Sequence, residues 1–200
     1  MNPLQSAALL PQLIYAPRSK NISLKIIGAW IGGVLLISIL AQLAIPLPWT
    51  PIPVSGQTLA VHLVILLWGR RLAVTTIGSY VALGSAGLPI FAGGKSGLIL
   101  GPSAGYVIGM VLAAVIVGRI VDHGFNRGFW RALGTCYMGS AIILGCGVIG
   151  LSRYLPSEVI FAKGLWPFLP GDLIKNISAA LITSEIYRRY PLTQGEAPSP

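Results

Sequence analysis

Long apolar stretches separated by short polar segments dominate this chain. The pattern predicts six membrane-spanning helices, at residues 24–45, 57–68, 72–90, 102–120, 132–151 and 171–187. A helix rises about 1.5 Å per residue, so roughly 20 apolar residues are needed to cross about 30 Å of hydrocarbon. Most of the stretches approach that length. The sequence therefore predicts an all-α integral membrane protein with a single six-helix bundle.

The second predicted span, residues 57–68, is shorter than the others. Fusing it to the third span would place Arg70 and Arg71 in the middle of the membrane. Each buried arginine would cost about 2.5 to 3.5 kcal/mol on insertion scales. Two helices joined by a tight turn at Gly69-Arg70-Arg71 are therefore favoured over one long helix.

Composition supports the membrane assignment. Hydrophobic residues make up 54% of the chain and charged residues only 10%, whereas a soluble domain carries roughly 25% charged residues. The formal net charge is +9, but the basic residues are scattered between apolar stretches and form no basic patch interleaved with aromatic residues. No nucleic-acid partner is expected.

The distribution of basic residues predicts the orientation, because cytoplasmic loops of membrane proteins carry an excess of Lys and Arg. One set of alternate loops holds Arg18, Lys20, Lys25, Arg70, Arg71, Arg119, Arg127, Arg131, Arg188 and Arg189. The other set holds only Lys95, Arg153 and Lys163. Both termini are therefore predicted to be cytoplasmic, with residues 1–23 as a cytoplasmic segment, 24–190 as the transmembrane domain and 191–200 as a disordered tail. We expect a bacterial plasma membrane location.

The two longest external segments have unusual compositions. IPLPWTPIPVSGQT contains four prolines and predicts a stiff extended loop. GLPIFAGGKSGLILGPSAGY is rich in glycine, which permits positive φ and close backbone approach. Such backbone is tolerated at membrane depth only where it lines a cavity or is covered by protein. The external mouth of the bundle is therefore the predicted location of a binding site.

A charged pair stands at the start of the sixth helix. Asp172 and Lys175 are three residues apart and so share one helix face, with Asn176 as a further polar neighbour. One interpretation is a pair that neutralises itself during insertion. The other is a pair facing a pocket, as ionisable residues in membranes commonly do. An acceptor-only carboxylate beside a donor-only ammonium matches a urea or cyclic amide. For Asn176, a capping or packing role remains open.

No catalytic or metal-binding arrangement accompanies this pair. Cys136 and Cys146 form no CxxC motif and have no nearby His, which indicates packing roles, and no cofactor or metal is predicted. His62 is alone in the second span, so a packing role and a proton relay both remain open. The chain is not expected to be an enzyme.

Three stretches, IPLPWTPIPVSGQTL, GLPIFAGGKSGLILGPSAGYVIGM and PFLPGDLIK, together resemble the BioY family, the biotin-specific S-components of energy-coupling factor (ECF) transporters. The resemblance covers roughly residues 24–190. It implies an S-component-like bundle that captures biotin from outside and delivers it with a transmembrane coupling protein and ATPase subunits. The chain has no GxxxxGK[ST] phosphate loop, so ATP hydrolysis would come from those partners.

The resemblance also implies roles for individual residues. Asp172 and Lys175 would recognise the ureido group, and Lys95 would hold the valerate carboxylate as a point charge. Weaker candidates line the predicted pocket, where aromatic residues would pack against the apolar rings: Gln57, Thr58, Tyr80, Phe91, Gly93, Gly94 and Tyr106. The proline-rich loop would act as a lid.

Small residues on the first helix are candidates for docking to the coupling protein. They are Ala29, Gly32 and Gly33, although packing inside the bundle explains them equally well. The basic cytoplasmic turns would contact the coupling protein or anionic membrane lipid. Three alternatives remain open: an S-component or stand-alone carrier for another vitamin, a small intramembrane enzyme, and a structural membrane subunit without a ligand.

Overall fold

The computed structural model describes residues 6–14, 21–97 and 101–190. Its helices are α1 (Leu9–Ile14), α2 (Ile22–Gln42), α3 (Gln57–Ser85), α4 (Ala104–Asp122), α5 (Phe129–Leu151), α6 (Ser157–Gly164) and α7 (Leu169–Arg189), with a 3₁₀ turn at Trp166–Phe168 before α7. Two short strands, β1 (Ala44–Ile45) and β2 (Val54–Ser55), pair antiparallel. The protein is a helical bundle, as the sequence predicts.

Four helices within the described ranges are long and apolar enough to span a membrane: α2, α3, α4 and α5. α7 has 21 residues, which is also sufficient length. Its composition is more polar because it carries Asp172, Lys175 and Asn176.

Helix α3 is broken at Gly69, where the backbone takes φ 70° and ψ 175°. That conformation is essentially restricted to glycine. Both ends of the α3 region return to the end of α2, since Gly56 N donates to Leu43 O (2.9 Å) and Gly93 N to Ala41 O (3.3 Å). A straight 29-residue helix would separate its ends by about 43 Å. The chain therefore reverses at Gly69, and the predicted tight turn is confirmed.

The predicted helix bounds are wrong at the ends of the first and third spans. Residues 24–45 were expected to be one span, but α2 ends at Gln42 because residues 44–45 pair with β2. Residues 72–90 were expected to be helical, but α3 ends at Ser85 and a turn containing Gly87 (φ 110°) follows. The remaining bounds differ by at most three residues, and the start at Gln57 and the end at Leu151 are as predicted. The structure also adds α1, α6 and the β1/β2 hairpin, which the apolar pattern did not indicate.

Glycines allow the closest helix pair, α4 and α5, to approach with backbones in contact. A Cβ at Gly109 would lie 2.8 Å from Ile143 Cα, and one at Gly105 would overlap Cys146 O. A larger residue at either position would force the helices apart. This is the small-residue packing expected for helices in a membrane, where close van der Waals contact drives association.

The end of the bundle that contains Gly69, here called the Gly69 end, gathers both described ends of the chain. Asp122 Oδ1 accepts from Ser6 Oγ (2.6 Å) and from Arg70 N (3.2 Å). Asn126 Nδ2 donates to Tyr187 Oη (2.7 Å). Ser6 and Tyr187, near the two ends of the described part of the chain, thus lie on the same side, as an even number of passes requires. That this side is cytoplasmic stays a prediction.

Candidate functional site

A cavity opens at the end of the bundle opposite Gly69. The free space between its lining atoms, counted together with the open mouth, is about 720 Å³. The β1/β2 hairpin, the turn after α3, and helices α3, α4, α5 and α7 all contribute to its wall. The proline-rich and glycine-rich segments thus meet at one site.

Asp172 borders this cavity and is 6% exposed. Its carboxylate is held by two donors: Ser140 Oγ donates to Oδ1 (2.8 Å) and Asn176 Nδ2 donates to Oδ2 (2.8 Å). Buried charges need such hydrogen bonds, because an unpaired carboxylate in an apolar interior is costly. The residue is therefore anchored as an acceptor beside the cavity.

Lys175 borders the same cavity and donates from Nζ to the backbone oxygen of Ser55 (3.1 Å) on β2. No nitrogen–oxygen distance of 4.0 Å or less joins it to Asp172, since both ion pairs in the described part of the chain involve Glu185. The two charges therefore do not form a direct pair. Lys175 also links the hairpin to α7.

Several other predicted residues also line the cavity: Gln57, Thr58, Phe91, Lys95 and Tyr106. Gln57 Nε2 contacts Met110 Sδ (3.3 Å), and the Tyr106 ring packs on Phe168 with 5.7 Å between centroids. Lys95 lies at the exposed rim. One wall of the cavity is therefore aromatic and apolar, with a cation at the mouth.

Tyr80, Gly93 and Gly94 do not line the cavity, in contrast to the prediction. Tyr80 is fully buried behind Phe91, with 5.4 Å between ring centroids and an edge-on angle of 83°. Gly93 and Gly94 have φ values of 69° and 73° and form the turn that brings Phe91 N to Lys95 O (3.0 Å). Their contribution is to shape the turn that presents Phe91 and Lys95.

Asn176, the remaining pocket candidate, lies one turn deeper than Asp172. It is fully buried, does not line the cavity, and acts on Asp172 through its side-chain amide. Sequence reasoning missed Ser140, which lines the cavity and bonds both residues. Also missed were Ile52, Pro53, Ser55, Ala92, Ser103, Val107, Met110, Ile143, Leu144 and Phe168. The only sequence feature that could have indicated a role for Ser140 is its position as a polar residue within an apolar stretch.

The docking candidates on α2 occupy different environments. Gly32 is exposed and a Cβ there would meet nothing within 4 Å. Gly33 is buried against Thr76 and Trp68, and the backbone oxygen of Ala29 accepts from Trp68 Nε1 (2.9 Å). Gly33 therefore packs inside the bundle, while docking through Gly32 stays a prediction.

His62 is 2% exposed, and neither ring nitrogen has a hydrogen-bond partner among the described residues. Its ring lies against Gly139, where a Cβ would come within 2.8 Å of Nε2. The close approach shows that His62, on α3, packs against α5.

Comparison with known proteins agrees with this architecture. A sequence model of the BioY family matches residues 18–192. The biotin transporter BioY of Thermotoga maritima is 31% identical over 163 residues, covering 80% of this chain and 87% of the relative. That of Rhodobacter capsulatus is 32% identical over 185 residues, covering 80% and 95%.

A solved structure shows the same fold. The crystal structure of the S-component for biotin from an ECF-type ABC transporter superimposes with a TM-score of 0.77 and 26% sequence identity, covering 85% of this chain and 94% of that one. Most of the fold is therefore shared. On these grounds the chain belongs to the BioY family.

Proposed function

We propose that this protein is a biotin-binding membrane subunit, the S-component of an ECF transporter. It captures biotin through the cavity at the end opposite Gly69, which we assign to the external side. The BioY relatives named as biotin transporters and the structural likeness to a biotin S-component support this proposal. The family is one of transporters, so a catalytic role is not proposed.

The observation that carries the proposal is the arrangement of Asp172 and Lys175. Both border one cavity, yet each is held by other groups rather than by its opposite charge. A carboxylate is an acceptor and an ammonium is a donor. A cyclic urea presents an N–H donor on each side of a carbonyl acceptor, so one N–H group can bond to Asp172 and the carbonyl oxygen to Lys175.

The rest of biotin fits the remaining walls. Phe91, Tyr106 and Phe168 supply aromatic surface for the fused rings, and Met110 supplies a polarisable thioether. Lys95 stands at the exposed rim, where it attracts the valerate carboxylate. Ile52 and Pro53 of the hairpin loop line the cavity, and their contact with a bound ligand would exclude water and strengthen the polar contacts inside.

Transport requires energy from other subunits. We propose a transmembrane coupling protein and ATPase subunits as partners, and the plasma membrane as the location. The absence of a phosphate loop in the sequence is consistent with external ATPases. Exposed apolar residues along α2, among them Leu24, Ile31 and Leu35, are available to contact lipid or a coupling subunit.

Direct titration of the purified protein with biotin tests the proposal. Lipoate is a suitable competitor, because it carries the same pentanoate tail and a sulfur ring but no urea. We expect saturable biotin binding that excess lipoate does not displace. If lipoate competes as well as unlabelled biotin, the tail and not the urea is recognised, and the assignment of Asp172 and Lys175 is wrong.

A further inference from the structure

We propose that residues 119–131, here called the α4–α5 turn, form a binding surface for the headgroups of anionic phospholipids. The turn comprises the end of α4, the connecting residues and the start of α5. It lies at the Gly69 end, which we assign to the cytoplasmic side, and none of its residues lines the biotin cavity. The inference goes beyond the proposed function and does not depend on it.

The α4–α5 turn carries a local excess of positive charge. It contains one acid, Asp122, and three arginines: Arg119, Arg127 and Arg131. Asp122 is engaged elsewhere, because its Oδ1 accepts from Ser6 Oγ (2.6 Å) and from Arg70 N (3.2 Å). Its carboxylate is therefore held toward α3 and the N-terminal segment, and the arginines dominate the charge of the surface.

Hydrogen bonds to the bundle hold the turn in one shape. Asn126 is fully buried, and its Nδ2 donates to Leu66 O and to Tyr187 Oη, both at 2.7 Å. Thr135 Oγ1 donates to the backbone oxygen of Phe125 (3.1 Å). The Phe125 side chain is nevertheless 55% exposed. The turn is thus anchored through Asn126 and presents Phe125 outward.

Two arginines of the turn have donors suited to a phosphate group. The Arg131 guanidinium carbon lies 5.8 Å from the centroid of the Phe125 ring, a cation–π contact that holds this side chain at the turn. A guanidinium presents a planar fork of N–H donors that matches phosphate oxygens. Arg127 is half-buried, and its Nε–H has no hydrogen-bond partner among the residues that the structure describes. Because buried donors are normally paired, Arg127 is short of an acceptor.

The depth of the turn favours lipid as the occupant. Helices α4 and α5 have 19 and 23 residues, so they are about 28 Å and about 34 Å long, close to the roughly 30 Å of hydrocarbon that they cross. Their ends at Asp122 and Phe129 therefore lie at the membrane boundary, and only residues 123–128 connect them. A connection this short stays within the headgroup layer, which is about 5 to 8 Å thick on each side.

Exposed aromatic side chains at the same level support this placement. Trp130, in the first turn of α5, is 79% exposed, and its ring contacts Phe129 edge-on with 5.0 Å between centroids. Tryptophan is enriched at membrane interfaces, where its apolar ring lies among headgroups. Aromatic residues beside cations therefore match an anionic lipid, whose phosphate and acyl chains meet at this depth. Each arginine near such a surface should raise the affinity about fivefold.

The experiment compares the retention of phosphatidylglycerol and phosphatidylcholine with identical acyl chains, by native mass spectrometry of the purified protein in detergent. The variants are Arg131→Gln and the double variant Arg127→Gln/Arg131→Gln. The matched control is Arg188→Gln, which removes one charge from the same end of the bundle. Arg188 is already bound to Glu185 (2.7 Å), so it has less to offer a phosphate. Thermal unfolding verifies that each protein is folded, and biotin is titrated in parallel.

We expect the parent and Arg188→Gln to retain phosphatidylglycerol in preference to phosphatidylcholine by the same ratio. Arg131→Gln should lower this ratio about fivefold and the double variant about 25-fold. Raising the salt concentration to 1 M should lower the parental ratio as well, because exposed charges are then screened within about 3 Å. Biotin affinity should not change, since the cavity lies at the opposite end. Arg131 is exposed, so the single variant decides the matter if the double variant does not fold.

Three outcomes overturn the inference. If the variants keep the parental ratio, the two arginines do not bind headgroups, and loss of assembly with the coupling and ATPase subunits would then identify the turn as a protein contact. If Arg188→Gln lowers the ratio as much as Arg131→Gln, the net charge matters and the turn does not. If both lipids are lost equally, the surface does not recognise the headgroup. None of these results concerns biotin, whereas a parent protein that does not bind biotin contradicts only the proposed function.

Discussion

Replacing Asp172 by asparagine tests the binding site most directly. The variant keeps the size of the side chain and removes its charge. One amide oxygen remains an acceptor, but the new NH₂ group is a donor that faces either Asn176 Nδ2 or Ser140 Oγ. Because Asn176 Nδ2 is itself a donor, the amide must place its oxygen there and its NH₂ toward Ser140, whose hydroxyl turns to accept.

The loss of affinity follows from the ligand bonds that disappear. The Asp172 carboxylate accepts one N–H group of the urea, because the two N–H bonds of a cyclic urea diverge. In the variant this N–H meets either a neutral amide oxygen or the NH₂ group, which repels it. A hydrogen bond to a charged group contributes about 1.5 to 3 kcal/mol. Losing one such bond lowers biotin affinity by about 10- to 150-fold.

The thermal stability of unliganded Asp172→Asn should stay constant or rise, although its affinity for biotin falls. Asp172 is 6% exposed, and desolvating its charge costs free energy that a neutral amide does not. The unliganded variant should therefore unfold at the same temperature as the parent, or higher. Titration calorimetry in detergent measures the affinity, and thermal unfolding followed by size-exclusion chromatography measures the stability.

The matched control is Glu158→Gln, because Glu158 is an exposed acid on α6 outside the cavity lining. It should bind biotin as the parent does. If Asp172→Asn binds biotin with parental affinity, the Asp172 carboxylate does not accept a hydrogen bond from biotin, and the proposed binding site is wrong. If it unfolds well below the parent without ligand, the lost affinity reflects damage to the bundle.

Three further substitutions test other parts of the structure. Lys95→Met should lower the affinity for biotin about tenfold but leave the affinity for biotin amide, which lacks the carboxylate, unchanged in the same titration. An equal loss of affinity for both ligands would rule out a contact between Lys95 and the carboxylate. Lys175→Met removes the bond to Ser55 O, so hydrogen exchange in residues 44–55 should accelerate, and unchanged exchange would show that Lys175 does not hold the hairpin. Gly69→Ala should cost about 1 to 3 kcal/mol of unfolding free energy, because its φ of 70° is unfavourable for alanine and a Cβ would lie 2.5 Å from Asp122 Oδ1. Gly28→Ala, where a Cβ meets nothing within 4 Å, should unfold like the parent.

The sequence by itself determined the bundle and the reversal at Gly69. Both depend on local physics: apolar stretches long enough to cross a bilayer, and two arginines too costly to bury at its centre. It also indicated Asp172 and Lys175, because charges inside an apolar helix are rare and share a face at that spacing.

Only the tertiary structure decided how those charges are held. The donor to Asp172 from α5, Ser140, is 32 residues away along the chain, and the acceptor for Lys175, Ser55 O, is 120 residues away. No local pattern can reveal partners that meet only when helices pack. Tyr80 was predicted to line the cavity but lies behind it for the same reason. Helical spacing predicts which face of the helix carries Tyr80, but only the tertiary structure shows that Phe91 packs between that face and the cavity.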